Sequence, residues 1–206
     1  MNTTSTRPGT RWIDVALTGA SGAAYGVRLL QRLDAEPSVE RVRVMVSTAG
    51  ADVCRMETGI ALAGPGSLPA MGLAKAEWVS VDDVAAAAAS GTGAASAMAI
   101  VPCSMSTLGA LASGAGRNLI HRAADVMLKE RRPLVVVPRE TPLNEIHLRN
   151  MLRLHRAGAV ILPASPAFYT RPGRVEDLVD HLVSRILSVL GFDIPPGHRW
   201  NGPPSR

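Results

Sequence analysis

Residues 12–33, WIDVALTGASGAAYGVRLLQRL, decide the fold class of this chain. An apolar run from Trp12 to Leu17 ends in a turn of small residues, TGASG at positions 18–22. Apolar residues at helical spacing then follow from Val27 to Leu33. A strand, a glycine-rich turn and a helix in this order are typical of the first unit of a parallel sheet. The stretch therefore predicts an α/β protein.

The alternation of strand and helix continues through the rest of the chain. Further strands are predicted at 41–46, 77–81, 98–101, 134–137 and 159–162, and helices at 47–57, 82–89, 104 onward, 118–131, 144–156 and 175–190. Such alternation predicts a three-layer α/β/α sandwich with a parallel sheet, flavodoxin-like or Rossmann-like. We expect a disordered N-terminal tail over residues 1–11 and a single domain over 12–206 that ends in an irregular, proline-rich tail.

Composition restricts the possible functions. The 206 residues are 47% hydrophobic and 3% aromatic, enough for one domain with an aliphatic core. The net charge is +5, but the arginines are scattered and no nucleic-acid-binding motif is present, so a small anionic ligand is the better interpretation. With no apolar run of membrane-spanning length, no signal-peptide pattern and only Cys54 and Cys103 as cysteines, we expect a reduced, cytoplasmic protein.

Five short turns rich in small or polar residues follow the predicted strands. They are TGASG (18–22), STAG (47–50), PCSMST (102–107), PRETP (138–142) and PASPAFY (163–169). Because ligands of parallel sheets bind at the carboxyl ends of the strands, we expect the turns to converge on one site. A glycine-rich turn at a helix start favours an anion, although TGASG could also be a tight turn that simply needs glycine.

The PCSMST turn carries more hydroxyl groups than a helix start requires. Capping explains one of Ser104, Ser106 and Thr107 but not all three, which favours a second anion site. Cys103 has no neighbouring histidine in the sequence, so we interpret it as a small buried residue rather than a nucleophile.

Cations cluster around the strand at 134–137. Within nineteen positions the chain places Arg122, Lys129, Arg132, Arg139 and Glu140. Helix cations are commonly only solvated, whereas Arg139 directly follows a strand, where the ligand is expected. Arginine binds phosphate bidentately and lysine binds it as a point charge, and a carboxylate among them could orient a cation or carry a proton.

The sequence shows no metal-binding pattern. The five histidines lack ligand spacing, and the acidic pair Asp82–Asp83 does not extend to DDxxD because residue 86 is alanine. We therefore predict no metal.

Longer stretches resemble the UbiX family of flavin prenyltransferases from about residue 12 to residue 200. The resemblance is carried by TGASGAAYGVRLL, PCSMSTL, NLIHRAADVMLKERRPLVVVPRETPLNEIHLRNML, GAVILPASPAFY and VEDLVDHLVSRIL. It implies a flavin-binding domain that joins the dimethylallyl group of dimethylallyl phosphate to N5 and C6 of reduced FMN without a metal. It also implies a dodecamer with active sites between neighbouring subunits, and a product, prenylated FMN, that serves UbiD-type decarboxylases.

The resemblance also assigns site residues. For FMN it implies Gly19, Ala20, Ser21, Ser47, Ser104, Thr107 and Arg122, and for dimethylallyl phosphate it implies Lys129, Arg139, Glu140, Tyr169, Arg185 and Trp200. Glu140 would exchange a proton with the leaving phosphate. Ser21 and Glu57 would manage the proton on flavin N5.

This chain departs from the family pattern at two positions. Thr48 stands where the family usually has lysine, and Val84 stands where many relatives carry an aromatic residue beside the prenyl group. These changes concern the shape of the prenyl pocket more than phosphate binding.

Two other functions remain open from the sequence. One is a flavin-dependent decarboxylase acting by itself. The absence of the catalytic histidine and asparagine of such enzymes argues against it. The other is a non-catalytic flavin carrier or accessory subunit, which would not need the cations beyond the FMN phosphate site.

Overall fold

A computed structural model describes residues 11–193 of the chain. It contains a six-stranded parallel sheet in the order β3-β2-β1-β4-β5-β6. The strands are β1 Arg11–Leu17, β2 Val39–Val46, β3 Ala76–Trp78, β4 Ala97–Cys103, β5 Leu134–Pro138 and β6 Val160–Ile161. β1 includes Arg11, which we had placed in the N-terminal tail; residues 1–10 lie outside the described part. The predicted α/β sheet is confirmed.

Seven α-helices flank the sheet in the described part of the chain. They are α1 Ala23–Ala35, α2 Thr48–Thr58, α3 Ser67–Ala70, α4 Met105–Ser113, α5 Leu119–Lys129, α6 Glu145–Arg156 and α7 Val175–Val189. One apolar cluster joins the sheet to α1, α2 and α7, and a second joins it to α4, α5 and α6. The predicted three-layer sandwich is therefore confirmed.

The strands supply both clusters because successive side chains point to opposite faces. Along β1, Ile13, Val15 and Leu17 pack into the first cluster, whereas Ala16 packs into the second. The core is aliphatic, as the composition indicates, and the whole of β4 is buried.

The predicted helix at 82–89 is wrong. Turns replace it, followed by single 3-10 turns at Ala87–Ala89 and Gly91–Gly93. Oγ of Ser80 accepts the Asp82 N–H at 3.3 Å, and Oδ1 of Asp83 accepts the Ala85 N–H at 3.2 Å. Short polar side chains that bond nearby backbone groups in this way compete with the helix, and here they outweigh the helix propensity of the alanines.

Other boundaries differ less. The strand predicted at 77–81 is β3, shorter and one residue earlier, and the predicted loop at 59–75 contains the single helical turn α3.

The strand order reverses between β1 and β4, which places the predicted ligand edge at a topological switch point. Thr18 joins the two turns there. Its hydroxyl donates to the Pro102 carbonyl at 2.9 Å and accepts the Ser104 N–H at 2.7 Å. The turns TGASG and PCSMST are thus held side by side, as expected.

A buried ion pair crosses β1 and β2. Asp14 is 0% exposed and Arg43 is 4% exposed. Nε and a terminal nitrogen of Arg43 donate to the two carboxylate oxygens of Asp14 at 2.6 and 3.0 Å, and the other terminal nitrogen donates to the Gly93 carbonyl at 2.9 Å. Burial raises the pKa of Asp14, while the charge and hydrogen bonds of Arg43 act to lower it. The pair also fastens the loop at residue 93 to the sheet.

Candidate active site

A cavity of about 580 Å³ opens at the carboxyl edge of the sheet. Its walls are the turns after β1, β2 and β4 together with α4 and the start of α5, and its lining residues are Gly19, Ser47, Ala49, Ser104, Ser106, Thr107, Ala110, Ser113, Ala115, Arg117, Asn118 and His121. The volume lies within the range of cofactor sites. Four of the seven residues expected for FMN are among this lining: Gly19, Ser47, Ser104 and Thr107.

Three helices begin at the wall of this cavity. Ser47 caps α2 by accepting the Gly50 N–H at 3.0 Å, Ser104 caps α4 by accepting the Thr107 N–H at 3.2 Å, and Asn118 caps α5 by accepting the His121 N–H at 3.1 Å. The positive ends of helix dipoles and unsatisfied backbone N–H groups favour an anion. The donor set therefore fits the phosphate of FMN.

A cation that the resemblance did not assign lines this cavity. Arg117 lines it, whereas the expected Arg122 is exposed and lines a smaller neighbouring cavity. Arg117 precedes the cap of α5 and Arg122 lies one turn inside the helix, so they occupy different walls. Sequence reasoning missed Arg117, although its position just before the helix cap was a usable signal.

His121 is a second lining residue that sequence reasoning missed. Its Nδ1 accepts the Arg117 N–H at 3.3 Å. Burial, and then the positive charge of Arg117, lower the pKa of His121. The imidazole is therefore neutral near pH 7 and carries its hydrogen on Nε2.

The start of α1 is capped from another helix. Gly22 has a φ of 109°, which favours glycine, and it has no side chain to cap α1. Oε2 of Glu57, near the end of α2, accepts the N–H groups of Gly22 and Ala23 at 2.9 and 2.8 Å. Nε of Arg139 donates to the Ser21 carbonyl at 3.2 Å. Ser21, Glu57 and Arg139 are thus brought together.

Glu57 is held in its ionised form. Partial burial acts to raise its pKa, but hydrogen bonds from Ser21, Gly22 and Ala23, with the charge of Arg139, outweigh burial and lower the pKa. Glu57 is exposed, as expected for a solvated helix carboxylate, but it also caps α1 from another helix.

Replacing Glu57 with glutamine should destabilise the protein by about 1 kcal/mol near pH 7, because the charge-assisted bonds to α1 are lost. The pKa of Glu57 is lower in the folded protein than in the unfolded chain. The ionised carboxylate therefore stabilises the fold fully above its unfolded-state pKa, and this stabilisation is lost as the pH falls through its folded-state pKa. The difference between native protein and variant in urea unfolding should therefore be constant above about pH 4.5, the reference value of glutamate, and shrink below it.

Asp52→Asn, at an exposed carboxylate on the same helix, is the control and should show a smaller difference. If the difference in unfolding free energy between the native protein and Glu57→Gln stayed constant through acidic pH, Glu57 would not act as an ionised cap of α1.

The basic cluster predicted around β5 is divided between two edges of the sheet. Arg139 is half-buried at the carboxyl end of β5, next to the exposed Glu140, whose Oε1 accepts the Thr141 N–H at 2.9 Å. Arg132 lies at the amino edge, where it donates to the carbonyls of Ala94 and Ala95. These bonds tie the turn after α5 to the segment before β4.

Lys129 also lies away from Arg139 within one chain. Helix α5 runs back from the carboxyl edge to the amino edge, and Lys129 is its last residue. Nζ of Lys129 lies 3.7 Å from a carboxylate oxygen of Glu130. Lys129 can therefore reach a phosphate beside Arg139 only in the site of another subunit, which the expected intersubunit site would allow.

The remaining expected residues lie on the loop after β6 and on α7. The Ala164 N–H donates to the Pro138 carbonyl at 3.0 Å, which places the PASPAFY turn beside PRETP. Tyr169 lies in this loop and Arg185 is exposed on α7, whereas Trp200 lies outside the described residues. Ala20 is buried within TGASG. All five turns therefore meet at one edge, as predicted.

Cys103 is fully buried, and burial raises the pKa of its thiol. This agrees with its interpretation as a packing residue.

Between residues 11 and 193, no three metal-binding side chains of the His, Cys, Asp or Glu type are grouped closely enough to hold an ion. Over the same range, every helix is too short or too polar to cross a bilayer.

Comparison with known proteins gives consistent matches over nearly the whole chain. The family model described as Flavoprotein matches residues 1–187. The flavin prenyltransferase UbiX of Pseudomonas aeruginosa is 50% identical, over 91% of this chain and 93% of that protein. The flavin prenyltransferase UbiX of Methanothermobacter thermautotrophicus is 43% identical, over 93% of this chain and 96% of its own length.

Two similar solved structures show related assemblies and ligands. AnUbiX, in complex with FMN and dimethylallyl pyrophosphate, superposes with a TM-score of 0.82 at 45% identity, covering 94% of this chain and 98% of that one. A dodecameric FMN-dependent UbiX-like decarboxylase from Escherichia coli O157:H7 superposes with a TM-score of 0.84 at 40% identity, covering 93% and 100%.

Proposed function

This chain belongs to the UbiX family of flavin prenyltransferases, and from this premise we propose how its own residues carry out the reaction. It joins the dimethylallyl group of dimethylallyl phosphate to N5 and C6 of reduced FMN, making prenylated FMN. The observation that supports this most strongly is the cavity where three helices begin, directly beside the contact between Arg139 and the TGASG turn.

The cavity binds FMN through its phosphate and the edge of its ring. Ser104, Thr107 and the starts of α4 and α5 surround the phosphate, and Arg117 supplies a positive charge there. Gly19, Ala20 and Ser21 contact the flavin. Reduced FMN, when bound, supplies the nucleophilic N5 and C6 atoms that accept the dimethylallyl group.

Arg139 binds the phosphate of the prenyl donor. Its Nε is held by the Ser21 carbonyl, so the guanidinium is fixed beside the flavin turn and its terminal N–H groups can grip a phosphate bidentately. Tyr169, Arg185 and a Lys129 from a neighbouring subunit complete the donor set. These groups stabilise the charge that builds on the phosphate as the C–O bond breaks, and Glu140 exchanges a proton with the leaving phosphate.

Ser21 and Glu57 act together on the N5 proton. The ionised carboxylate accepts the hydroxyl hydrogen of Ser21, and the pair can take up the proton that N5 loses. Because Glu57 is also anchored to the start of α1, its carboxylate stays beside the turn that contacts the flavin.

We propose that the chain assembles as its Escherichia coli relative does, into a dodecamer. Several large apolar side chains that are exposed in the single chain support this: Leu143, just before α6, Ile146, Leu148 and Leu152 on α6, and Phe168 in the loop after β6. Contact with neighbouring subunits would remove them from water. Assembly would also bring Lys129 to a neighbouring site. We further propose that the protein works in the cytoplasm and that its product passes to a UbiD-type decarboxylase.

The activity is tested with purified protein, chemically reduced FMN and dimethylallyl phosphate. Mass spectrometry of the released flavin should show a species heavier by one five-carbon unit. Recovery of unmodified FMN alone would contradict the proposal.

Because the Escherichia coli structure is named a decarboxylase, the same preparation should also be tested with an aromatic acid. Release of CO₂ without a partner protein would favour a decarboxylase acting by itself. We expect none.

A further inference from the structure

Beneath Tyr169 lies a histidine that the sequence pattern did not mark. His181, on α7, is 6% exposed, whereas Tyr169 is 49% exposed at the carboxyl edge of the sheet. The two rings pack edge to face, with centroids 5.8 Å apart and an interplanar angle of 86°. Oη of Tyr169 lies 3.4 Å from Nε2 of His181. A buried imidazole therefore supports a half-exposed phenol at the place where the donor phosphate is proposed to bind.

The direction of this hydrogen bond follows from a second contact. The backbone N–H of Ala167 donates to Nδ1 of His181 at 3.4 Å. A backbone N–H can only donate, so Nδ1 carries no hydrogen and a neutral imidazole carries it on Nε2. Nε2 must then donate to Tyr169, whose oxygen accepts. In this contact the hydroxyl oxygen of Tyr169 accepts, so its hydrogen is directed to a different acceptor, a role that the phosphate of a bound ligand can take.

Both contacts lie in a loop without regular secondary structure, so side-chain contacts fix the position of the tyrosine. The loop starts beside the turn that carries Arg139, through the bond from the Ala164 N–H to the Pro138 carbonyl. His181 bonds the loop at Ala167 and at Tyr169, and so sets both the backbone and the phenol. Helix α7, which carries His181, is anchored to α1 through Asp180 and Arg28 at 2.6 Å.

We propose that His181 is a positioning residue for the prenyl donor: it donates to Tyr169 and so orients the tyrosine hydroxyl as a donor to the phosphate of dimethylallyl phosphate. This inference rests on the proposed function and deepens it. His181 does not itself touch the substrate. Its effect is confined to the donor phosphate and does not extend to the FMN cavity.

The test uses His181→Phe, which keeps an aromatic ring beside Tyr169 but removes both ring nitrogens. In the full-length protein, KM for dimethylallyl phosphate should rise about 5–10-fold, the size of one hydrogen bond, with kcat and FMN affinity nearly unchanged. His181→Gln, whose amide can donate from nearly the position of Nε2, should restore most of the loss. Tyr169→Phe should raise KM by a similar factor.

The double variant His181→Phe with Tyr169→Phe separates positioning from simple packing. If His181 acts through Tyr169, the double variant should be no worse than the worse single variant, because the two residues form one unit. The inference would be overturned if the two single-variant increases in KM multiplied in the double variant. It would also be overturned if His181→Phe left KM unchanged, or if it weakened FMN binding by the same factor as donor binding. His155→Phe, at an exposed histidine on α6, is the matched control and should leave KM unchanged.

A binding measurement keeps the inference separate from the activity. Calorimetric titration of dimethylallyl phosphate into protein loaded with oxidised FMN should give the same 5–10-fold ratio of Kd values. If the native protein makes no heavier flavin, the proposed function fails. If it does, and the Kd of His181→Phe equals that of the native protein, only the role of His181 fails.

Discussion

Replacing Arg139 with methionine should lower the rate of prenyl transfer by about 10²–10³-fold and leave FMN affinity nearly unchanged. The side chain is anchored to the Ser21 carbonyl, so its guanidinium acts as a preorganised donor for the charge that develops on the leaving phosphate. Preorganisation matters because a donor already in place need not reorient as the C–O bond breaks. The rate is read from the heavier flavin by mass spectrometry, and FMN affinity from the quenching of flavin fluorescence.

Two further variants sharpen this prediction. Arg139→Lys keeps the charge but loses the planar fork that binds both Ser21 and a phosphate, so its rate should fall between those of the native protein and Arg139→Met. Arg55→Met, at an exposed arginine of α2 paired with Asp52, should behave as the native protein. Loss of FMN binding in Arg139→Met would show that Arg139 belongs to the cofactor site, and an unchanged rate would remove it from the active site.

Replacing Asp14 with alanine should destabilise the fold by about 3–5 kcal/mol, the largest effect on stability that we expect. The substitution leaves the guanidinium of Arg43 buried without its carboxylate, while a hydrogen bond to the Gly93 carbonyl still holds it in place. The midpoint of urea unfolding, measured at fixed protein concentration because assembly contributes to stability, gives the free-energy change.

The sheet itself supplies the control for this prediction. Arg41 and Glu77 form an exposed pair across β2 and β3 at 3.2 Å, and Glu77→Ala should cost less than about 1 kcal/mol. The paired replacement Asp14→Leu with Arg43→Met removes both charges and should recover most of the loss. If Asp14→Ala were as mild as Glu77→Ala, water or another group would have to be compensating Arg43.

The fold could be predicted because each unit of the chain carries one apolar pattern for its strand and another for the helix that follows. The run from Trp12 to Leu17 and the apolar spacing after TGASG defined β1 and α1 to within a few residues. The stretch at 82–89 failed because alanine favours helix everywhere, while Ser80 and Asp83 bond the local backbone. Only the structure shows which of two local preferences prevails.

For the site, the sequence correctly put the residues that directly follow strands at the carboxyl edge of the sheet, because the ends of parallel strands meet there. Ser47, Ser104 and Arg139 all lie where expected. The positions of helix residues within one chain could not be predicted from the sequence, because spacing fixes a helix face but not the end of the sheet that the face approaches. Lys129 and Arg132 show this, since both lie at the opposite edge from Arg139.

Side-chain pairs that form only in the folded protein could not be predicted from the sequence. His181 and Tyr169 are twelve residues apart and meet only through the fold. Asp14 and Arg43 pair because β1 and β2 are in register, and each looks like an ordinary polar residue in an alternating strand.

The account depends on arginine and lysine side chains, rather than a metal ion, holding a monophosphate ester against reduced FMN. Prenyl transfer from dimethylallyl phosphate in excess EDTA tests this most directly, with dimethylallyl diphosphate plus Mg²⁺ as the parallel reaction. We expect the heavier flavin from the monophosphate at the same rate with and without the chelator. Product that forms only from the diphosphate, and only with Mg²⁺, would contradict the account.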